Sequence, residues 1–117
     1  MNKIYYLKTC STCNRIISEL NLPADLEFQN IKENPLTESQ IEELEKHSGS
    51  YESLFSKRAY LYKELKLKDS NLSEADYKKY LLQHYTFLQR PVIVLNNRVF
   101  IGNSKKNVES VKEELKR

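Results

Sequence analysis

Lys3-Ile4-Tyr5-Tyr6-Leu7-Lys8-Thr9-Cys10-Ser11-Thr12-Cys13 decides how this chain is read. Its first half is rich in β-branched and aromatic residues and predicts a short strand. Arg15-Ile16-Ile17-Ser18-Glu19-Leu20 follows with apolar residues at helical intervals. The two cysteines, the only ones in the chain, therefore stand where a strand delivers the backbone into a helix. A thiol at that point faces unsatisfied backbone N–H groups and the positive end of the helix dipole, both of which favour the thiolate. Cys10 precedes the helix and Cys13 lies in its first turn, so Cys10 is expected to be the more exposed and more acidic thiol.

Other readings of the pair are constrained by spacing. A structural zinc site needs four ligands, and only His47 and His84 are on offer besides the cysteines, at distances unlike those of finger or ribbon motifs. A disulfide across three residues closes too small a loop to restrain much of the chain. Two buried, inert cysteines remain compatible with the spacing. The address at a helix start favours thiol redox or thiolate nucleophile chemistry.

At 117 residues the chain is expected to form a single domain. Charged residues make up 30% and the apolar set 39%, an ordinary balance for a soluble, helix-rich protein. The net charge of +3 is spread along the chain and predicts no direct nucleic-acid surface. Val92-Ile93-Val94-Leu95 is the longest aliphatic run, far short of a membrane span, and no signal-like segment opens the chain. A cytoplasmic protein with reduced thiols is the expectation.

Leu26-Glu27-Phe28-Gln29-Asn30-Ile31 alternates apolar and polar as a second strand does. Thr37-Glu38-Ser39-Gln40 fits a capping box opening a helix that ends at Ser48-Gly49-Ser50. A second helical stretch is predicted from Tyr51 to Leu65. A third opens at Ser73, carrying a stripe of Tyr77, Tyr80, Leu81, His84, Tyr85 and Leu88 that is read as packing, His84 included. His47 suits the C-terminal end of its helix. Val92–Leu95 and Val99–Ile101 flank Asn96-Asn97, residues tolerant of positive φ, and predict a hairpin. Gly102-Asn103-Ser104 then offers a cap for a last amphipathic helix through Val108, Val111 and Leu115.

The order is strand–helix–strand, a helical block, a hairpin and a helix. A right-handed crossover joins the first two strands in parallel, and the hairpin adds two antiparallel ones. This is the plan of an α/β protein with a thioredoxin-like fold: a mixed four-stranded sheet with a helical insertion, approximately residues 35–88, between its βαβ and ββα halves. Pro91 opens the third strand, where no ladder bond is lost. In thioredoxin-like folds a proline here is commonly cis and lies beside the reactive cysteines, so Pro91 is expected to be cis and to shape the site.

Three stretches resemble the arsenate reductase/Spx family over essentially the whole chain. They are Tyr5-Tyr6-Leu7-Lys8-Thr9-Cys10 with Cys13, Ser56-Lys57-Arg58-Ala59-Tyr60-Leu61-Tyr62-Lys63-Glu64-Leu65, and Phe87-Leu88-Gln89-Arg90-Pro91-Val92-Ile93-Val94. The resemblance implies a thiol-dependent oxidoreductase with Cys10 as nucleophile, Cys13 paired with it as a CxxC redox pair so that Cys13 or an external thiol resolves the intermediate, and Arg58 and Arg90 as ligands for an oxyanion. Guanidinium groups suit that task because they stay charged and bind oxygens bidentately. It implies no bound cofactor and no metal, with glutathione and glutaredoxin, or thioredoxin, as electron donor, and a small oxyanion or thiol as substrate. Two departures matter. The third arginine of arsenate reductases falls where this chain has Gly102, with Arg15 and Arg98 nearby but not aligned. Cys13 instead is similar to the Spx branch, whose paired cysteines form a redox-switch disulfide and whose members bind RNA polymerase. A redox-sensing regulator is therefore the alternative expectation.

Overall fold

The computed structural model describes residues 2–117. Four strands, β1 (Lys3–Tyr6), β2 (Glu27–Asn30), β3 (Val92–Leu95) and β4 (Arg98–Ile101), form one sheet in the order β2-β1-β3-β4. β1 runs parallel to β2 and antiparallel to β3, and β3 is antiparallel to β4. This is the expected mixed, thioredoxin-like arrangement. The helices are α1 (Ser11–Leu20), α2 (Glu38–Ser48), α3 (Tyr60–Glu64), α4 (Glu74–Gln83) and α5 (Lys105–Leu115).

The chain divides into two compact units. The first runs to Asn34 and resumes at Arg90; the second is Pro35–Gln89. In the first, Ile4, Ile93 and Phe100 lie side by side across the sheet. They pack with Ile16 and Leu20 of α1 and Val108 and Val111 of α5. Period-2 alternation in the strands and 3.6-residue spacing in the helices bring these side chains to one core. Ile4 and Ile93 are 0% and 1% exposed, and burial of each contributes about 1.5–3 kcal/mol.

Asn96 and Asn97 turn the hairpin with φ of 52° and 64°, the double left-handed conformation whose twist matches the strands. The turn is tied to α5. Glu114, almost fully buried, accepts from Asn96 Nδ2 at 2.8 Å and from Arg98 Nη1 at 2.6 Å. Ser104 caps α5 by accepting the Asn107 N–H at 3.1 Å.

In the second unit the capping boxes of α2 (Thr37 with Gln40) and α4 (Ser73 with Asp76) are both formed, and Gly49 ends α2 at φ +95°. The continuous helix predicted over 51–65 is not. A single 3₁₀ turn (Glu52–Leu54) and the five-residue α3 stand there, separated by extended backbone at Phe55 and Ala59. Phe55 pairs with Leu88 in an antiparallel bridge. The Ser56 N–H reaches the Phe87 carbonyl at 2.7 Å, and the Gln89 N–H reaches that of Leu54 at 2.9 Å. This pairing between distant segments overrides the helical period. The aromatic stripe also stops short of its predicted length, because α4 ends at Gln83 and His84 is extended. Its Nδ1 accepts the Thr86 N–H at 3.1 Å and caps a 3₁₀ turn over Tyr85–Phe87. His84 is thus a capping group as well as a packing one, stacked on Tyr85 at 4.6 Å. Phe55, Tyr77, Tyr80 and Phe87 form the aromatic centre of this unit.

Candidate active site

The segment from Leu7 to Cys10 is a tight turn closed by the Cys10 N–H on the Leu7 carbonyl at 2.9 Å. Cys10 has extended backbone (φ −89°, ψ 112°) and is the N-cap of α1, its carbonyl accepting from the Asn14 N–H at 3.1 Å. Its side chain makes no capping bond of the usual kind, and no acidic residue occupies the first turn of α1. The electropositive end of the helix is left to the sulfur.

Both thiols are free. Cys10 is half-buried and Cys13, one turn on, is fully buried. Partial burial alone would raise the pKa of Cys10. It is outweighed by the Cys13 backbone N–H, the Cys13 thiol and the Arg90 guanidinium, all of which bond to the Cys10 sulfur, and the pKa falls below the ordinary thiol value. Cys13 goes the other way. Burial pushes its thiol up to about 11, against a backbone hydrogen bond from Leu7 and with a further rise from the negative charge of Cys10. The two thiols are therefore shifted in opposite directions, and Cys10 is the more acidic of the pair.

Arg90 is brought to Cys10 by the backbone around Pro91. The Arg90–Pro91 peptide is cis, as expected from the sequence, and Pro91 is fully buried. The Gly102 N–H donates to the Pro91 carbonyl at 2.9 Å. Gly102 is itself buried at φ +92° and its carbonyl accepts from Asn107 Nδ2 at 2.8 Å. Gly102 thus holds a left-handed backbone position that a side chain rarely adopts.

Cys10, Cys13, Arg90 and Pro91 lie together in the first unit. Arg58 belongs to the second, on an exposed turn before α3, with its N–H donating to Ser56 Oγ at 3.3 Å. Arg15 is exposed on α1 and pairs with Glu19 at 3.8 Å. Sequence reading passed over Asn14 and Asn30, which hold the backbone of Lys8. The only sequence signal for them is an asparagine four residues after Cys10 and another at the end of β2. Among the described residues no group of His, Cys, Asp and Glu is arranged to hold a metal ion, and no helix is long and apolar enough to cross a membrane.

The sequence model of the ArsC family matches residues 5–111. The chain belongs to the ArsC family. Three solved structures resemble it along nearly their whole length. An ArsC family related protein from Bacteroides fragilis superposes with TM-score 0.79 at 22% identity, covering 95% of this chain and 97% of that one. An arsenate reductase from Vibrio cholerae gives 0.77 at 23%, covering 96% and 95%. A possible arsenate reductase from Streptococcus mutans gives 0.72 at 28%, covering 93% and 98%. No curated protein is a significant match. The ArsC family signature spans the strand–turn–helix that carries Cys10 and the Arg90-Pro91 segment alike.

Proposed function

We propose that this ArsC family protein is a thiol-dependent reductase of a small oxyanion, with Cys10 as its nucleophile. The observation that carries the reading is the Cys10 sulfur at the start of α1, bonded by the Cys13 N–H and by Arg90. Those donors hold the thiolate at rest and face the region where charge gathers on the oxyanion during attack.

With arsenate, the thiolate forms an S–As bond and displaces one oxygen, which leaves as water after protonation. A second thiol then attacks the Cys10 sulfur. The S–As bond breaks, its electron pair stays on arsenic, and the oxyanion leaves in the As(III) state with a disulfide on Cys10. Cys13 is the resolving thiol in this reading, and an external thiol, glutathione with glutaredoxin or thioredoxin, restores the pair. Arg58 serves as a second guanidinium on the anion, with Gly102 leaving the site without a third.

The test is thiol consumption dependent on arsenate, with and without glutathione and glutaredoxin, in wild type, Cys10→Ser and Cys13→Ser. Turnover that needs Cys10 supports the proposal. Absence of turnover, with RNA polymerase binding that follows the oxidation state of the pair, would replace it by the regulatory alternative.

A further inference from the structure

Lys8 sits between β1 and Cys10, and side-chain amides hold both of its backbone groups. Its N–H donates to Asn30 Oδ1 at 3.2 Å, and its carbonyl accepts from Asn14 Nδ2 at 2.9 Å. Asn30 is the last residue of β2, and Asn14 lies in α1 immediately after Cys13. The Ile31 N–H continues the β1–β2 ladder onto the Tyr6 carbonyl at 2.9 Å, at the base of the turn. The turn before Cys10 is thus fastened on one side to the sheet and on the other to its own helix.

Both bonds lie in exposed surroundings, so water would satisfy the Lys8 groups nearly as well, and stability gains little from them. What the two asparagines fix is direction. A thiolate keeps its low pKa only while its sulfur stays in line with the Cys13 N–H and Arg90, and hydrogen bonds weaken steeply with angle. We infer that Asn14 and Asn30 are positioning residues for the Cys10 sulfur, acting through the backbone of Lys8. The inference rests on the reading of Cys10 as the reactive thiol.

The experiment is the pH profile of Cys10 alkylation by iodoacetamide, read by peptide mass spectrometry on reduced protein. Wild type, Asn14→Ala, Asn30→Ala and Asn30→Asp are compared in about 0.5 M salt, where an added exposed charge reaches only a few ångströms. Asn30→Asp keeps the accepting oxygen. Both alanine variants should move the profile to higher pH and slow alkylation at pH 7 about threefold or more, with Tm little changed. Asn30→Asp should return towards wild type. Wild-type profiles in both alanine variants would overturn the inference, as would slowing that only tracks a fall in Tm. If wild type itself shows no acid shift at Cys10, the reactive-thiol reading fails first, and this inference with it.

Discussion

The Cys13 backbone N–H and the Cys13 thiol are both directed at the Cys10 sulfur, so one residue supplies two of its donors. The cysteines therefore differ in kind. In reduced protein Cys10 should be alkylated first, with a midpoint below the free-thiol value of about 8.5. Cys13 should resist until the protein is made strongly alkaline or unfolded. Faster labelling of Cys13 would reverse the assignment.

Stability should register the same asymmetry. The folded pKa of Cys13, about 11, lies above its unfolded value, so the native state keeps a proton that the unfolded chain gives up. Its contribution is complete below about pH 8.5 and disappears as the pH rises towards 11. The alkaline fall in Tm should therefore be steeper in reduced wild type than in Cys13→Ala. Parallel profiles would mean that Cys13 titrates alike in both states.

Mild peroxide should join Cys10 to Cys13 within one chain. The thiolate oxidises first, and the thiol beside it is the nearest trap for a sulfenic acid. Non-reducing gels with peptide mapping decide this. A mainly intermolecular product, or persistent sulfenic acid at Cys10, would remove Cys13 from the resolving role.

Arg90→Ala removes a charged donor from the Cys10 sulfur. Such bonds contribute about 1.5–3 kcal/mol, so turnover should fall at least about tenfold and the alkylation profile should move to higher pH. Sulfate should protect Cys10 less in Arg90→Ala and in Arg58→Ala. Arg15→Ala, at an exposed pair with Glu19, should leave protection unchanged. Full protection in Arg58→Ala would remove Arg58 from the anion site.

The hairpin offers a test of the fold. Asn97 stands at φ 64°, so Asn97→Val should cost about 1–2 kcal/mol, seen as a lower urea midpoint. Asn97→Gly should be neutral or slightly stabilising. Equal midpoints for valine and glycine would show that the turn relaxes to another form.

Much of the fold is legible in the sequence itself. The four strands, the Asn96-Asn97 turn and the capping box at Thr37 rest on local chemistry, and local chemistry is what a sequence displays; the cis Pro91 is legible only from the fold around it. The break at Phe55 was not legible, because its cause is a partner 33 positions away, Leu88. The stripe marks His84 as packing, which it is, but gives no sign that its Nδ1 also caps the next turn. At the site, Cys10, Cys13 and Arg90 stood out as rare or charged residues in informative places. Asn14 and Asn30 did not, since an asparagine becomes meaningful only once its amide has a backbone group to hold.

The sheet order has a consequence for how the chain is made. β1 lies inside the sheet: Ile4 has Phe28 of β2 on one side, but its neighbour on the other side is Ile93 of β3. During synthesis β1 and β2 emerge together, and one flank of β1 must wait while the whole of Pro35–Gln89 is added. Closing so long a loop slows folding more than it weakens the finished structure. The nascent chain thus carries an uncovered strand with Cys10 at its tip, while Arg90, one of the groups that tame that sulfur, is still to be translated.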